Sequence, residues 1–513
     1  MLFNSYAFLF SFLPAVLLAY FAAARHGAAC ASAVLAAASL VFYGVWDVRY
    51  VPLLLASIVV NYACSLRIRA AAGRRRKGWL ALAVGANLAL LGWYKYANFF
   101  ARSAAALAGG QLGPFDTLFD NLVLPVGISF FTFTQIAFLV DTARGHVRER
   151  RFVHYLLFVT YFPHLVAGPV LHHREMMPQF ADPANLVPRA GNFAVGTSIF
   201  VIGLAKKVLL ADSLAPHANA LFGAPGEATL LLAWGGVLAY AFQLYFDFSG
   251  YSDMAIGLAR LFGVRLPLNF DSPYRASSIA EFWRRWHMTL SRFLRDYLYV
   301  PLGGNRRGPL RRHVNLMTTM VLGGLWHGAG WTFLLWGALH GGYLVVHHAW
   351  RAARARLGWG DGGRAGRCAG WLLTFGAVCV AWVFFRAPDV PTALAIVHAL
   401  AGGDGIALPA ALGARLGALR PLLEGAGVTW YLGGTTRFVA TWGWVAVAGC
   451  VALALPNTQQ IMRRWEPALD ARLGAPSWLE WCPVPRHAVA CGVLALLAVL
   501  SLDQPSDFLY FQF

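Results

Sequence analysis

Charge is scarce in this chain. Asp, Glu, Lys and Arg make up 13% of its 513 residues, about half the share of an average soluble protein. Acid is scarcer than base, 23 residues against 42, and the formal net charge is +19. The seven cysteines are scattered, mostly within apolar segments, and show no CxxC or Cys/His zinc spacing; buried spectator thiols are the expectation. There is no Walker loop, no GxSxG elbow and no HExxH helix, which argues against an ATPase or a serine hydrolase. No internal repeat and no long linker divides the chain, so one integral-membrane domain over residues 1–513 is expected.

What is present is apolar: 58% of the residues are hydrophobic. A soluble protein of this size could not hide so much apolar surface, and many segments approach the ~20 residues that cross a bilayer. The first, Tyr6–Ala24, has no Lys or Arg before it, so it reads as a retained helix rather than a cleaved signal. Nucleic acid is the weaker partner for the positive charge, because the charge is gathered in short loops at residues 66–78, 143–151, 305–313, 351–367 and 462–472. Basic loops between apolar segments mark a cytoplasmic face and favour anionic lipid head groups. Apolar segments near 6–24, 28–45, 51–66, 79–100, 121–141 and 487–502 then put both termini outside. The expected fold is all-α: a polytopic integral membrane protein with about twelve transmembrane helices plus re-entrant and amphipathic helices. Tyr161–Phe180 has three prolines and three histidines. It reads as a segment that enters the membrane and turns.

Polar groups inside such a body are where chemistry would sit. Over 279–305 a helix would place Arg284, His287, Ser291 and Arg295 on one face, either against head groups or along a pocket. The Gly-Gly turn ending at Asn305 could offer N–H groups to a phosphate or carbonyl. His327, in "LGGLWHGAGW", stands among Gly323, Gly324, Gly328 and Gly330, with Trp326 and Trp331 beside it. A neutral imidazole there has one nitrogen free to take a proton. The glycines let small substrates or neighbouring backbones approach closely, and the tryptophans could wall the site. A histidine bonded between packed helices is the plainer alternative. Asp247 and Asp253 could orient a histidine, carry protons or bind a cation; pairing with Arg260, Lys206 or Lys207 is favoured. His172–His173 and His347–His348 look like metal pairs, but no third ligand lies at ligand spacing, so no metal is expected.

Together, the stretches Leu124–Gln135, His164–Val170, Tyr245–Gly263, Asn269–Gly308 and Gly323–Gly341, with the ending "FLYFQF", resemble the membrane-bound O-acyltransferases. The resemblance is to the bacterial branch that modifies alginate, peptidoglycan, cellulose and teichoic acids. It implies a ring of tilted helices around a thinned centre, with funnels from both faces. The family's essential histidine falls on His327 and its second histidine on His287, the expected catalytic pair; Trp283, Arg284, Ser291, Asn305 and Trp326 are the expected substrate-binding residues. It implies transfer of an acetyl group across the bacterial inner membrane to hydroxyls of an extracytoplasmic polysaccharide. The donor would be a cytoplasmic thioester such as acetyl-CoA, with no bound cofactor, and a periplasmic acyl-transferring protein would be the partner. Tyr510, among Phe508, Phe511 and Phe513, is either part of an aromatic anchor or an acyl relay. The rival class is a polysaccharide or lipid-linked-sugar transporter, which commonly shows inverted repeats. A polysaccharide synthase would need a soluble sugar-nucleotide domain that the chain lacks.

Overall fold

Backbone polar groups in an apolar surrounding must be paired within the chain, and a helix does this alone. The computed structural model of the protein describes all residues except 110–121, 167, 361, 470–476, 504–508 and 510–513. The described chain is almost wholly helical, as expected, and forms two compact units. The first comprises Met1–Leu204, Tyr251–Leu268 and Thr458–Leu502; the second comprises Ala205–Gly250, Asn269–Asn457 and Asp503–Phe513.

The first unit holds α1 (Leu13–Ala24), α2 (Ala28–Asp47), α3 (Val51–Ala70), α4 (Gly73–Leu91), α5 (Ala97–Leu107), α6 (Ile128–Ala143), α7 (Phe152–Thr160), α8 (Phe162–Leu165), α9 (His173–Phe180) and nearly all of α10 (Ala190–Ala205). Its core is aromatic. The Phe3 ring lies 5.0 Å from Phe8, 5.6 Å from Phe42 and 4.8 Å from Tyr251. Polar side chains join the helices where lipid offers nothing to bond: Asn61 and Asn87 exchange hydrogen bonds, Gln135 donates to the Ser57 hydroxyl, and Tyr155 donates to Gln135. The basic stretch at 66–78 is mostly helical, since α3 runs to Ala70 and α4 starts at Gly73. The segment expected from residue 121 begins its helix only at Ile128. Pro125 and Gly127 delay it: Gly127 has φ +73°, and a Cβ there would meet the Leu165 carbonyl oxygen at 2.7 Å. The break expected in 161–180 is present, with α8 only four residues long and residues 168–172 outside any helix.

The second unit holds α11 (Asp212–Gly223), most of α12 (Leu230–Leu261), α13 (Ile279–Trp283), α14 (Met288–Leu294), α15 (Gly308–His327), α16 (Trp331–Arg356), α17 (Gly363–Arg386), α18 (Val390–Leu400), α19 (Ala410–Gly413), α20 (Leu419–Gly425) and α21 (Thr435–Leu453). The chain then returns to the first unit with α22 (Thr458–Ile461) and α23 (Pro485–Leu500). A short parallel pair, β1 (Ile406–Pro409) with β2 (Val428–Tyr431), is the one sheet among the described residues. The core of this unit gathers Tyr240, Phe282, Trp286, Trp336 and Trp382.

By length and composition, five described helical segments suit a membrane crossing: Ala28–Ala70, Ala190–Gly223, Leu230–Leu261, Gly363–Arg386 and Thr435–Leu453. Four shorter apolar ones accompany them. Large apolar side chains such as Leu18, Val346, Leu373 and Leu500 stand exposed on helices, as lipid-facing residues do. Of the two intramembrane carboxylates, Asp247 takes the favoured pairing with a lysine, while Asp253 is held by neutral side chains. Lys207 lies 2.7 Å from both Asp212 and Asp247, and Asp253 accepts from the Thr458 hydroxyl at 2.5 Å.

The hairpin of α15 and α16 is pressed together through glycine. A Cβ at Gly324 would lie 2.2 Å from the Phe333 carbonyl oxygen, and one at Gly337 would lie 2.4 Å from that of Met320. Backbone cannot yield as a flexible side chain does, so overpacking here costs about 1–3 kcal/mol or more. Gly324→Ala and Gly337→Ala are therefore expected to lower the melting temperature of the detergent-purified protein. Gly342→Ala, where a Cβ meets nothing within 4 Å, should leave it unchanged.

Candidate active site

The sequence reads as one amphipathic helix from Ile279 onward, and the structure corrects this. Helix α13 stops at Trp283, and His287 takes a left-handed conformation, φ 44° and ψ 52°, before α14 begins. The cause lies eighteen residues earlier in the chain. The extended segment at 269–271 pairs with the break: Met288 N–H donates to the Asn269 carbonyl and Asp271 N–H to the Arg285 carbonyl, at 3.0 and 2.9 Å. Arg284 and Arg295 are exposed, and His287 is fully buried. The common face expected for them does not exist.

The Asn269 side chain sets the chemistry of His287. Its Oδ1 accepts from the Thr289 hydroxyl at 2.9 Å and from the Thr289 N–H at 3.4 Å. A backbone N–H can only donate, so the Asn269 atom facing it is the oxygen. The same oxygen lies 3.0 Å from His287 Nδ1. His287 Nδ1 therefore carries the ring proton, and Nε2 holds the lone pair. That Nε2 is buried and has no hydrogen-bond partner among the described residues.

His327 ends α15 and is 6% exposed. Its ring centre is 6.2 Å from that of His287, 5.0 Å from Trp326, 5.1 Å from Trp336 and 5.2 Å from Phe385. Two expectations change here. Trp331 is exposed, and Trp336, one helical turn into α16, is an indole packed against the His327 ring. The glycines serve protein packing: a Cβ at Gly328 would strike the Phe333 ring at 2.1 Å.

Sequence reading missed His340. It is fully buried, 4.8 Å from Trp336 and 5.1 Å from Trp283 by ring centres. Neither of its nitrogens has a partner among the described residues, nor do the indole N–H groups of Trp283 and Trp336 or the Ser291 hydroxyl. Leaving a buried polar group unmade costs about 1–3 kcal/mol, and several such groups lie close together here. The available signal was plain: an ionisable residue within an otherwise apolar helix.

Of the expected substrate-binding residues, Trp283, Ser291 and Trp326 lie in this neighbourhood. Asn305 is exposed and accepts from the Tyr299 hydroxyl. The turn before it is fixed by Asn315, which donates to the Gly304 carbonyl at 3.1 Å. Glu281 braces the start of α13. Burial alone would raise its carboxyl pKa; the N–H and hydroxyl of Ser277 and the guanidinium of Arg285 prevail and hold it below the usual range. Tyr510 and its neighbours Phe508, Phe511 and Phe513 lie outside the described residues. Leu509 is described and buried, and its N–H donates to Asp247 at 3.2 Å.

As to metal, Asp141 is a candidate third ligand that spacing did not reveal. Its Oδ2 lies 2.9 Å from His172 Nε2 and 3.1 Å from His173 Nε2. The pair His347–His348 has ring centres 5.5 Å apart and no such carboxylate in the groups found among the described residues.

Two buried imidazoles, one with its tautomer fixed, stand against indoles, an arrangement suited to moving a proton during group transfer. Residues 81–386 match the membrane-bound O-acyltransferase family. The chain belongs to that family. Its acyltransferase relatives agree. It is 44% identical over 436 residues to the peptidoglycan O-acetyltransferase of Helicobacter pylori, covering 80% of this chain and 81% of that one. It is 39% identical over 539 residues to the probable alginate O-acetylase of Pseudomonas aeruginosa, covering 100% of both. It is 28% identical over 242 residues to the teichoic acid D-alanyltransferase of Streptococcus thermophilus, covering 45% of this chain and 58% of that one. This membrane-bound O-acyltransferase is a multi-pass membrane enzyme; transport without chemistry, the rival expectation, is not the activity of its family.

Asn269→Ala removes the oxygen that fixes the His287 tautomer. Transfer activity should fall by at least about tenfold, while Asn269→Asp, which keeps an acceptor, should retain more. Activity per folded protein in membranes checks this, and equal activity in Asn269→Ala and wild type would detach the tautomer from function.

Proposed function

We propose that this enzyme moves an acetyl group from a cytoplasmic acyl thioester, acetyl-CoA, across the bacterial inner membrane to hydroxyls of an extracytoplasmic polysaccharide. The observation that carries the reading is the buried pair His287 and His327, with the His287 lone pair left open. The names of the relatives, which act on alginate and peptidoglycan, support a polysaccharide acceptor. In the step proposed, the acceptor hydroxyl oxygen attacks the thioester carbonyl while His327 takes its proton. The C–S bond then breaks, and the proton passes to the departing thiolate. Products are an oxygen ester and free thiol. His287 Nε2 accepts a hydrogen bond from donor or acceptor and so orients it, and the indole N–H groups of Trp283 and Trp336 are donors for a carbonyl oxygen as it gains charge.

The immediate acceptor belongs to a relay. Tyr510 would take the acetyl as an aryl ester, which remains activated enough to pass it to a periplasmic partner's nucleophile. A phenol needs a base to attack, because its ordinary pKa is ≈ 10. The anchored neighbour Leu509 supports a tail held against the protein. In the same reading the basic stretches at 66–78 and 351–367 face the cytoplasm and both termini face the periplasm.

His327→Ala and His327→Gln should each lower polymer acetate by about 10²–10⁴-fold at matched protein level, and near-wild-type acetate in either variant would remove His327 from the mechanism. Tyr510→Phe keeps the ring and should abolish acetylation. Full activity in that variant reduces the tail to an anchor without touching the His327 assignment. Reporter fusions at the basic stretches and termini test the orientation; a cytoplasmic C-terminus overturns it.

A further inference from the structure

A second cluster of histidines lies in the first unit, and no step of the proposed acyl transfer uses it. Asp141 is on the last turn of α6, and His172 and His173 open α9. Adjacent residues usually point their side chains apart. Here His172 is extended, φ −106° and ψ 132°, and His173 begins the helix. Both Nε2 atoms thereby converge on one oxygen, Asp141 Oδ2, at 2.9 and 3.1 Å. The two rings lie 4.6 Å apart. The other oxygen, Oδ1, has His146 Nδ1 at 3.6 Å and the Arg144 guanidinium at 3.8 Å.

We propose that Asp141, His172 and His173 hold a divalent transition-metal ion, zinc by the chemistry of the set, with His146 or water completing the shell. Three observations carry this. The three ligand atoms lie within 4.8 Å of one another, and two of the separations approach the ~3.3 Å edge of a tetrahedron with zinc–ligand bonds of 2.0–2.1 Å. Asp141 and His173 are 3% and 4% exposed, and a buried carboxylate among imidazoles is compensated better by a doubly charged ion than by neutral rings. An entry path exists: a cavity of ≈ 490 Å³ is lined by His146, Arg148, Glu149, His173 and Arg174. Glu149 is engaged with the N–H groups of Arg150 and Arg151, at 2.8 and 2.9 Å, which leaves the remaining position to His146 or water. Two imidazoles and a carboxylate suit zinc and, less selectively, nickel, cobalt or iron.

Metal binding replaces the hydrogens between the two Nε2 atoms and Asp141, and the ring protons then sit on Nδ1. At His172 this opens one contact, the 3.3 Å approach of the Arg174 N–H to Nδ1. The ion would tie the end of α6 and the basic loop after it to the start of α9. Its role is to hold that corner together, remote in sequence from both proposed catalytic histidines.

The test uses the full chain, purified in detergent and dialysed against metal-free buffer. Elemental analysis should find about one zinc per chain. Asp141→Asn and His173→Gln should each lose it, and a His347→Gln/His348→Gln control should keep it. Chelator-stripped wild type should melt several degrees lower and recover on adding zinc. Cobalt added to the stripped protein should give the visible bands of a tetrahedral N/O site. If wild type holds no zinc as purified, binds no cobalt after stripping and melts unchanged with chelator, the cluster is a hydrogen-bonded carboxylate clamp and the proposal fails. These readouts need no acetyl transfer, so they stand whichever way the His327 variants behave.

Discussion

One side-chain oxygen fixes the chemistry of this site. Asn269 Oδ1 accepts from His287 Nδ1 and from both the hydroxyl and the N–H of Thr289, while its own backbone carbonyl takes the Met288 N–H. A non-glycine residue in the left-handed region costs about 1–3 kcal/mol. Several hydrogen bonds of about 0.5–1.5 kcal/mol each offset that strain. The break between α13 and α14 is thus a local minimum created by a distant segment. What it achieves is orientation: the imidazole is turned out of the helical register, its proton is committed to one side, and a bare lone pair is left on the other.

The partner histidine is placed by different means. The hairpin that carries the end of α15 is drawn together by close backbone packing. Gly324 and Gly337 let the two arms of the hairpin meet with no Cβ between them, and Phe333 fills the space that Gly328 leaves. The walls around His327 are then large rings from three elements, Trp326 of α15, Trp336 of α16 and Phe385 of α17. Aromatic walls bring few hydrogen-bond partners. That is why so many polar atoms nearby, at His340, Trp283, Trp336 and Ser291, stand without one among the described residues.

Apolar runs in the sequence located α1, α2, α3 and α23 to within a few residues, because a helix crossing lipid is specified by composition more than by detail. The breaks were harder. Residues 279–305 read as one continuous amphipathic period, since the interruption is written at Asn269 rather than in the period itself. Proline announced the broken segment at 161–180 correctly, but Gly127 shifted α6 through a contact with Leu165 that no local pattern encodes. Among the candidate site residues, the motifs named His287, His327 and Trp326, whose rings the fold brings together, whereas Trp336, five residues along the same helix from the exposed Trp331, was not singled out. Asp141 was unreadable as a partner of His172, being thirty-one residues away with two turns of chain between.

Lys207 between Asp212 and Asp247 bears on how such a chain is made. Asp247 lies in the middle of a 32-residue helix, and a lone carboxylate at a helix centre costs ~2.5–3.5 kcal/mol to insert. Its counter-ion is synthesised first, on the turn after α10, so the lysine already waits when α12 leaves the ribosome. With Lys207 paired to it, Asp247 no longer burdens α12 with a lone carboxylate, so the pair lowers the cost of placing that helix in lipid. A substitution at Lys207 would then be felt first at the translocon, as a failure of membrane integration, before any acyl group is offered.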